Sequence, residues 1–107
     1  MPLGSDRTWE EWVDAYSQSH QHPVNKRCHR IGIPMIVVSI ALALCSLLLA
    51  VVGLNVFWLA VLAAGLFIVG WVFQFVGHAY EGQPPEFLRD WRFLFVGLRW
   101  WWQNRRG

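Results

Sequence analysis

Between Arg30 and Glu81 the chain carries no charged side chain, and no other feature of the sequence restricts its fold so strongly. All nine Lys and Arg and all seven Asp and Glu fall on one side or the other of that stretch. Residues 31–52 would form a helix of about 22 residues, roughly 33 Å long, which matches a hydrocarbon core of roughly 30 Å. Gly53, Leu54 and Asn55 supply a turn, and residues 56–77 are a second apolar run of similar length with Trp58 and Trp71 near its ends. The pattern predicts an all-α membrane protein, a single domain over 1–107, built on a two-span transmembrane hairpin.

Lys26, Arg27 and Arg30 precede the first span, Arg89 and Arg92 follow the second, and the turn between them has no basic residue. The positive-inside rule then places both termini in the cytoplasm. The net charge of +2 does not indicate a nucleic-acid partner, because the arginines are interleaved with Trp and Phe rather than gathered in a solvated patch. Arg beside aromatic rings suits a lipid headgroup boundary instead. Glu10, Glu11 and Asp14 precede the first apolar run, unlike the start of a cleavable signal peptide, so the first span is expected to remain in the mature protein. Cys28 and Cys45 would lie roughly 25 Å apart along one helix and cannot pair.

Both flanks of the hairpin read as amphipathic interfacial helices. Residues 5–19 place Trp9, Trp12, Val13 and Tyr16 on one side, and Thr8 with Glu11 has capping-box spacing. Residues 87–103 gather Arg89, Arg92, Arg99 and Gln103 on one face, a cation load that argues against a third span. Within the spans, Gly32, Ser39, Ser46 and Gly53 recur every seven residues, as do Ala63, Gly70 and Gly77. Small side chains at that interval let membrane helices approach closely, so the two stripes are expected to face each other.

The hairpin also brings together the four histidines, His20, His22, His29 and His78, near the cytoplasmic ends of the spans. Several neutral imidazoles with open positions suit a first-row metal such as iron or zinc. The plainer alternative for any one of them is a polar residue at a span end; Cys28 is a lesser candidate ligand. Gln74, one turn before His78, has an amide inside the hydrocarbon and needs a partner; it either orients His78 or bonds the neighbouring helix. Glu81 follows His78 by three residues and reads as a ligand, a base or a solvated charge. Asn25 and Arg30, with Lys26 and Arg27, lie beside His29, where they either hold a substrate carboxylate or anchor the protein to the membrane.

Two segments carry a resemblance beyond composition. His20-Gln21-His22-Pro23-Val24-Asn25-Lys26-Arg27-Cys28-His29 contains a His-x-x-Pro-x-Asn-x-x-x-His pattern, and Gly70-Trp71-Val72-Phe73-Gln74-Phe75-Val76-Gly77-His78 contains Trp-x-x-Gln-x-x-Gly-His. Together they resemble the family of the yeast 2-hydroxy fatty acid dioxygenase, over most of the chain. The resemblance implies an iron(II)-dependent α-oxidation in which a 2-hydroxy fatty acid and dioxygen give a fatty acid one carbon shorter plus carbon dioxide. It also implies that His20, His29 and His78 hold Fe(2+), with His22 as a further ligand, and that Pro23, Asn25, Gln74 and Gly77 are fixed points of the motif. On the residues alone, a non-enzymatic membrane scaffold or a structural metal-binding protein stays open as the alternative.

Overall fold

The computed structural model of the chain describes residues 2–106. Among these residues the secondary structure is entirely helical: α1 is Trp9–Gln18, α2 is Pro23–Val51, α3 is Phe57–Glu81 and α4 is Phe93–Asn104, with short 3-10 turns at Pro2–Gly4 and Glu86–Leu88.

The capping box at the start of α1 forms as its spacing predicts. Thr8 Oγ1 accepts from Glu11 N at 3.1 Å and Glu11 Oε1 accepts from Thr8 N at 3.0 Å. That cap starts α1 at Trp9 rather than at residue 5. The second helix begins eight residues before the predicted first span, because Pro23 occupies its first turn, where a missing N–H is harmless, and His22 caps it. The third helix likewise continues past residue 77 to Glu81, and Gly82, at φ 77°, ends it with a left-handed turn that glycine adopts without strain. His29 and His78 therefore stand on rigid helix, not on flanking loops. The fourth helix starts only at Phe93, after the 3-10 turn, so the predicted 87–103 helix is shorter at its N-terminal end.

Only 17 % of the most apolar stretch of either long helix is buried. Leu44, Leu48, Trp58 and Ile68 are more than half exposed, which makes a continuous outward apolar surface. A core helix of a soluble protein would have that surface covered; here lipid must cover it. The small residues are among those buried between the two helices: Gly32, Ser39 and Ser46 from α2, Ala63, Gly70 and Gly77 from α3. A side chain on Gly70 would come within 2.7 Å of Ile36 Cγ1, and one on Gly77 within 3.0 Å of Cys28 Cβ and 3.1 Å of Asn25 Cα. The hydroxyls of Ser39 and Ser46 donate to the carbonyls of Ile36 and Leu42 in their own helix, so they need nothing from α3. Gly53 leaves the stripe: it sits in the turn at φ 87°, and Asn55 Oδ1 accepts from Phe57 N to start α3.

The amphipathic helices turn their apolar faces toward each other. Trp12 and Tyr16 of α1 pack with Phe93, Val96 and Trp100 of α4, and Ile33 of α2 joins them. Arg7 and Arg92 lie over the ring of Trp12 at 4.7 and 5.1 Å, and Arg99 lies over Trp9 at 4.9 Å. Arg92 is also paired with Asp90 at 2.8 Å. The arginine face of the C-terminal helix is thus in part a set of stacking partners for α1. Trp101 Nε1 donates to the carbonyl of Arg30 at 3.1 Å and ties α4 to α2.

Gly77→Ala is expected to lower the thermal stability of the detergent-solubilised protein by about 1–3 kcal/mol through overpacking against α2. Gly65→Ala, at a position with nothing within 4 Å, is the matched control and should change little. Equal effects from the two would show that the helices are not in close contact at Gly77.

Candidate metal centre

His20 lies in the turn after α1, where it is fully buried. Its Nδ1 is 2.6 Å from the carbonyl of Tyr16, one turn earlier, and 3.0 Å from Ser19 Oγ. A carbonyl can only accept, so the first contact puts the proton on Nδ1 and leaves the Nε2 lone pair free. His29, on α2 and 2 % exposed, repeats the arrangement with its Nδ1 3.0 Å from the carbonyl of Asn25. The two Nε2 atoms then face each other at 3.0 Å. With both Nδ1 atoms protonated, neither Nε2 has a hydrogen to offer the other.

His78, on α3 and 4 % exposed, completes the group. Its ring centre is 4.8 Å from those of both His20 and His29, and one ligand atom from each of the three lies within 4.8 Å of the others. Its Nδ1 is buried with no hydrogen-bond partner. Burial pushes the His20 imidazole down to about 4, partly offset by the Tyr16 carbonyl, so it is neutral near pH 7. Neutral imidazoles whose outer nitrogens are held by carbonyls are the form in which histidine binds metals. Two nitrogens at about 2.1 Å from one metal stand roughly 3 Å apart when at right angles, so the Nε2 pair fits a shared ion.

The other predicted site residues fall into a supporting arrangement rather than into this group. Glu81 Oε1 accepts from His22 N at 2.9 Å and from Asn25 Nδ2 at 3.0 Å, and the same amide nitrogen reaches the carbonyl of Ser19 at 3.1 Å. The carboxylate thereby sits at the N-terminus of α2, where the helix dipole favours a negative charge. Asn25 and Glu81 fasten the turn that carries His20 to the end of α3 that carries His78, and the missing side chain at Gly77 lets Asn25 approach. The structure does not bring His22 to the other three: its Nδ1 accepts from Val24 N at 3.1 Å as a helix cap, and its ring packs on Tyr80. Cys28 is also outside the group, buried against Gly77. Arg30 contributes its carbonyl to Trp101 and does not line the cavity described next.

That cavity, about 90 Å³, opens beside His29 and His78. Tyr16, Gln74 and Glu86 are on its wall, and most of the remaining lining is apolar, Ile36, Val37, Leu94 and Leu98 among it. The apolar lining reaches the surface, since Val37, Leu94 and Leu98 are 45, 44 and 42 % exposed. Gln74 is 5 % exposed, and its Nε2 has no hydrogen-bond partner; the amide nitrogen bonds neither His78 nor the facing helix. Gly32 makes room for it, because a side chain there would overlap Gln74 Nε2.

Tyr16 and Trp100 were legible only as members of apolar helix faces. The Tyr16 ring stacks on His20 at 3.9 Å and 13°, and Trp100 lies 5.5 Å from it. Burial, with Glu86 nearby, pushes the phenol above its ordinary range, so it stays protonated. The one sequence signal available was spacing: Tyr16 precedes His20 by four residues, one helical turn.

Comparison with curated proteins and with solved structures found no match. A family model does match, over residues 7–107 and so over most of the chain; its description is 2-hydroxy-palmitic acid dioxygenase Mpo1-like. The matched span includes α1, both long helices, α4 and all three histidines of the group. The chain belongs to the Mpo1-like family.

Proposed function

We propose that the protein is a membrane-embedded, iron(II)-dependent dioxygenase that converts 2-hydroxy fatty acids to fatty acids one carbon shorter, with carbon dioxide and water. The observation that carries this reading is the pair of imidazole lone pairs facing each other at 3.0 Å, with His78 beside them and a cavity opening on His29 and His78. The family description supports the reaction class, and the word dioxygenase favours iron over zinc, which has no redox chemistry. Bound there, iron would supply the redox chemistry between dioxygen and the 2-hydroxy acid.

The chain's own groups do the rest. His20, His29 and His78 present nitrogen donors, and the carbonyls of Tyr16 and Asn25 hold the first two rings in register. Three protein ligands leave further positions for small molecules. Ile36, Val37, Leu94 and Leu98 offer an apolar passage beside the buried centre. At about 90 Å³ the cavity is far smaller than the roughly 300 Å³ or more that encloses a drug-sized ligand, so it takes the head of a fatty acid and its first carbons. The remaining tail stays among the lipid chains. The basic residues flanking the hairpin support a cytoplasmic placement of both termini and the metal centre.

Protein purified in mild detergent is expected to contain iron and to consume dioxygen only when a 2-hydroxy acid is added. Mass spectrometry of products from 2-hydroxyhexadecanoate should then show the acid one carbon shorter. Iron-loaded protein inert to such acids rejects the reaction. His29→Ala should abolish turnover and lower iron content at least tenfold while the protein stays folded; a scaffold would instead lose stability. A reporter active only in the cytoplasm should work when fused after Gly107 and be silent when inserted at Asn55; the reverse pattern overturns the placement.

A further inference from the structure

The cavity beside the histidines has an unusual wall for a site that receives an acid. No Lys or Arg lines it among the described residues, Arg30, the cation nearest in sequence to His29, included. The one charged side chain on the wall is Glu86, which repels an anion. A carboxylate entering this apolar setting still needs hydrogen-bond donors, because an unpaired buried charge is costly. The neutral donors on the wall include the amide of Gln74 and the phenol of Tyr16.

Gln74 is the more telling of the two. Its side chain is 5 % exposed, on the face of α3 that meets α2, with Nε2 lacking any acceptor. Within a membrane protein such an amide is costly unless something bonds to it. Gly32 on the facing helix is kept free of a side chain in the space the amide occupies. A group that is sheltered, unpaired and set on a cavity wall next to the metal-ligand histidines has the features of one satisfied by a ligand. Tyr16 also lines the cavity, stacked flat on His20, with its Oη close to Gly97.

We infer that Gln74 and Tyr16 recognise the substrate's carboxylate by donating hydrogen bonds from Nε2 and Oη, so that the acid head is read by neutral donors beside the metal and not by arginine. The inference rests on the fatty-acid reading above and names the residues that give it specificity. An acid is then preferred over its ester because only the anion repays both donors with charge-assisted bonds.

The test is equilibrium binding of 2-hydroxyhexadecanoate and of its methyl ester to iron-loaded protein under argon, where no turnover occurs. Wild-type protein should favour the acid, and Gln74→Leu should reduce the acid-to-ester affinity ratio roughly tenfold with iron content unchanged. Tyr16→Phe, which keeps the stacking on His20, should reduce the same ratio and decides the matter if Gln74→Leu does not fold. A ratio equal to wild type in the folded variants overturns the inference, including the case where acid and ester weaken together. Should wild-type protein bind the acid in this Gln74-dependent way and yet fail to convert it under dioxygen, recognition stands and the reaction reading falls.

Discussion

Two imidazole nitrogens, each with its lone pair outward, are held 3.0 Å apart in the interior of this protein. Such a contact is repulsive unless a cation lies against it, and it cannot relax by rotation. His20 is fixed by the Tyr16 carbonyl and by the flat ring of Tyr16. His29 is fixed by the Asn25 carbonyl of its own helix. Much of the remaining structure keeps this pair, and His78 beside it, from moving apart.

The close approach of α2 and α3 is the largest part of that support. In lipid there is no hydrophobic drive between two apolar helices, so contact depends on packing surfaces that fit. Gly32, Gly70 and Gly77 supply them, and Gly77 in addition admits Asn25, whose amide ties Ser19 to Glu81. Packing of the two long helices and the geometry of the histidine group are therefore one arrangement. The helices α1 and α4 close it from the side: Tyr16 and Trp100 cover His20, and Arg92 over Trp12 and Arg99 over Trp9 hold the two helices together where a lipid headgroup layer would meet them.

The hairpin was legible in the sequence because absence of charge over two membrane thicknesses has one common physical cause. The small-residue stripes and the convergence of His20, His29 and His78 follow from the same hairpin. Local competition decided what the pattern could not show. His22 has the same side chain as its neighbours, but it directly precedes Pro23, and at that position capping α2 takes its nitrogen. Glu81 has ligand-like spacing from His78, yet its Oε1 accepts from the N–H of His22 and the amide of Asn25. Tyr16 was hidden because an aromatic residue on an amphipathic face reads as packing, and its second role depends on how α1 meets the turn. Gln74 reads in the sequence as an amide in need of a partner, and in the structure its Nε2 stands unpaired on the wall of the cavity, a placement that spacing alone does not show.

The central claim, that His20, His29 and His78 hold one metal ion, is most directly tested by X-ray absorption at the iron edge of the loaded protein in detergent. A coordination sphere with three imidazole nitrogens, seen through the multiple scattering of their rings, is expected, with loss of one of them in His20→Ala. A coordination sphere without imidazole, or one that His20→Ala leaves unaltered, would contradict it.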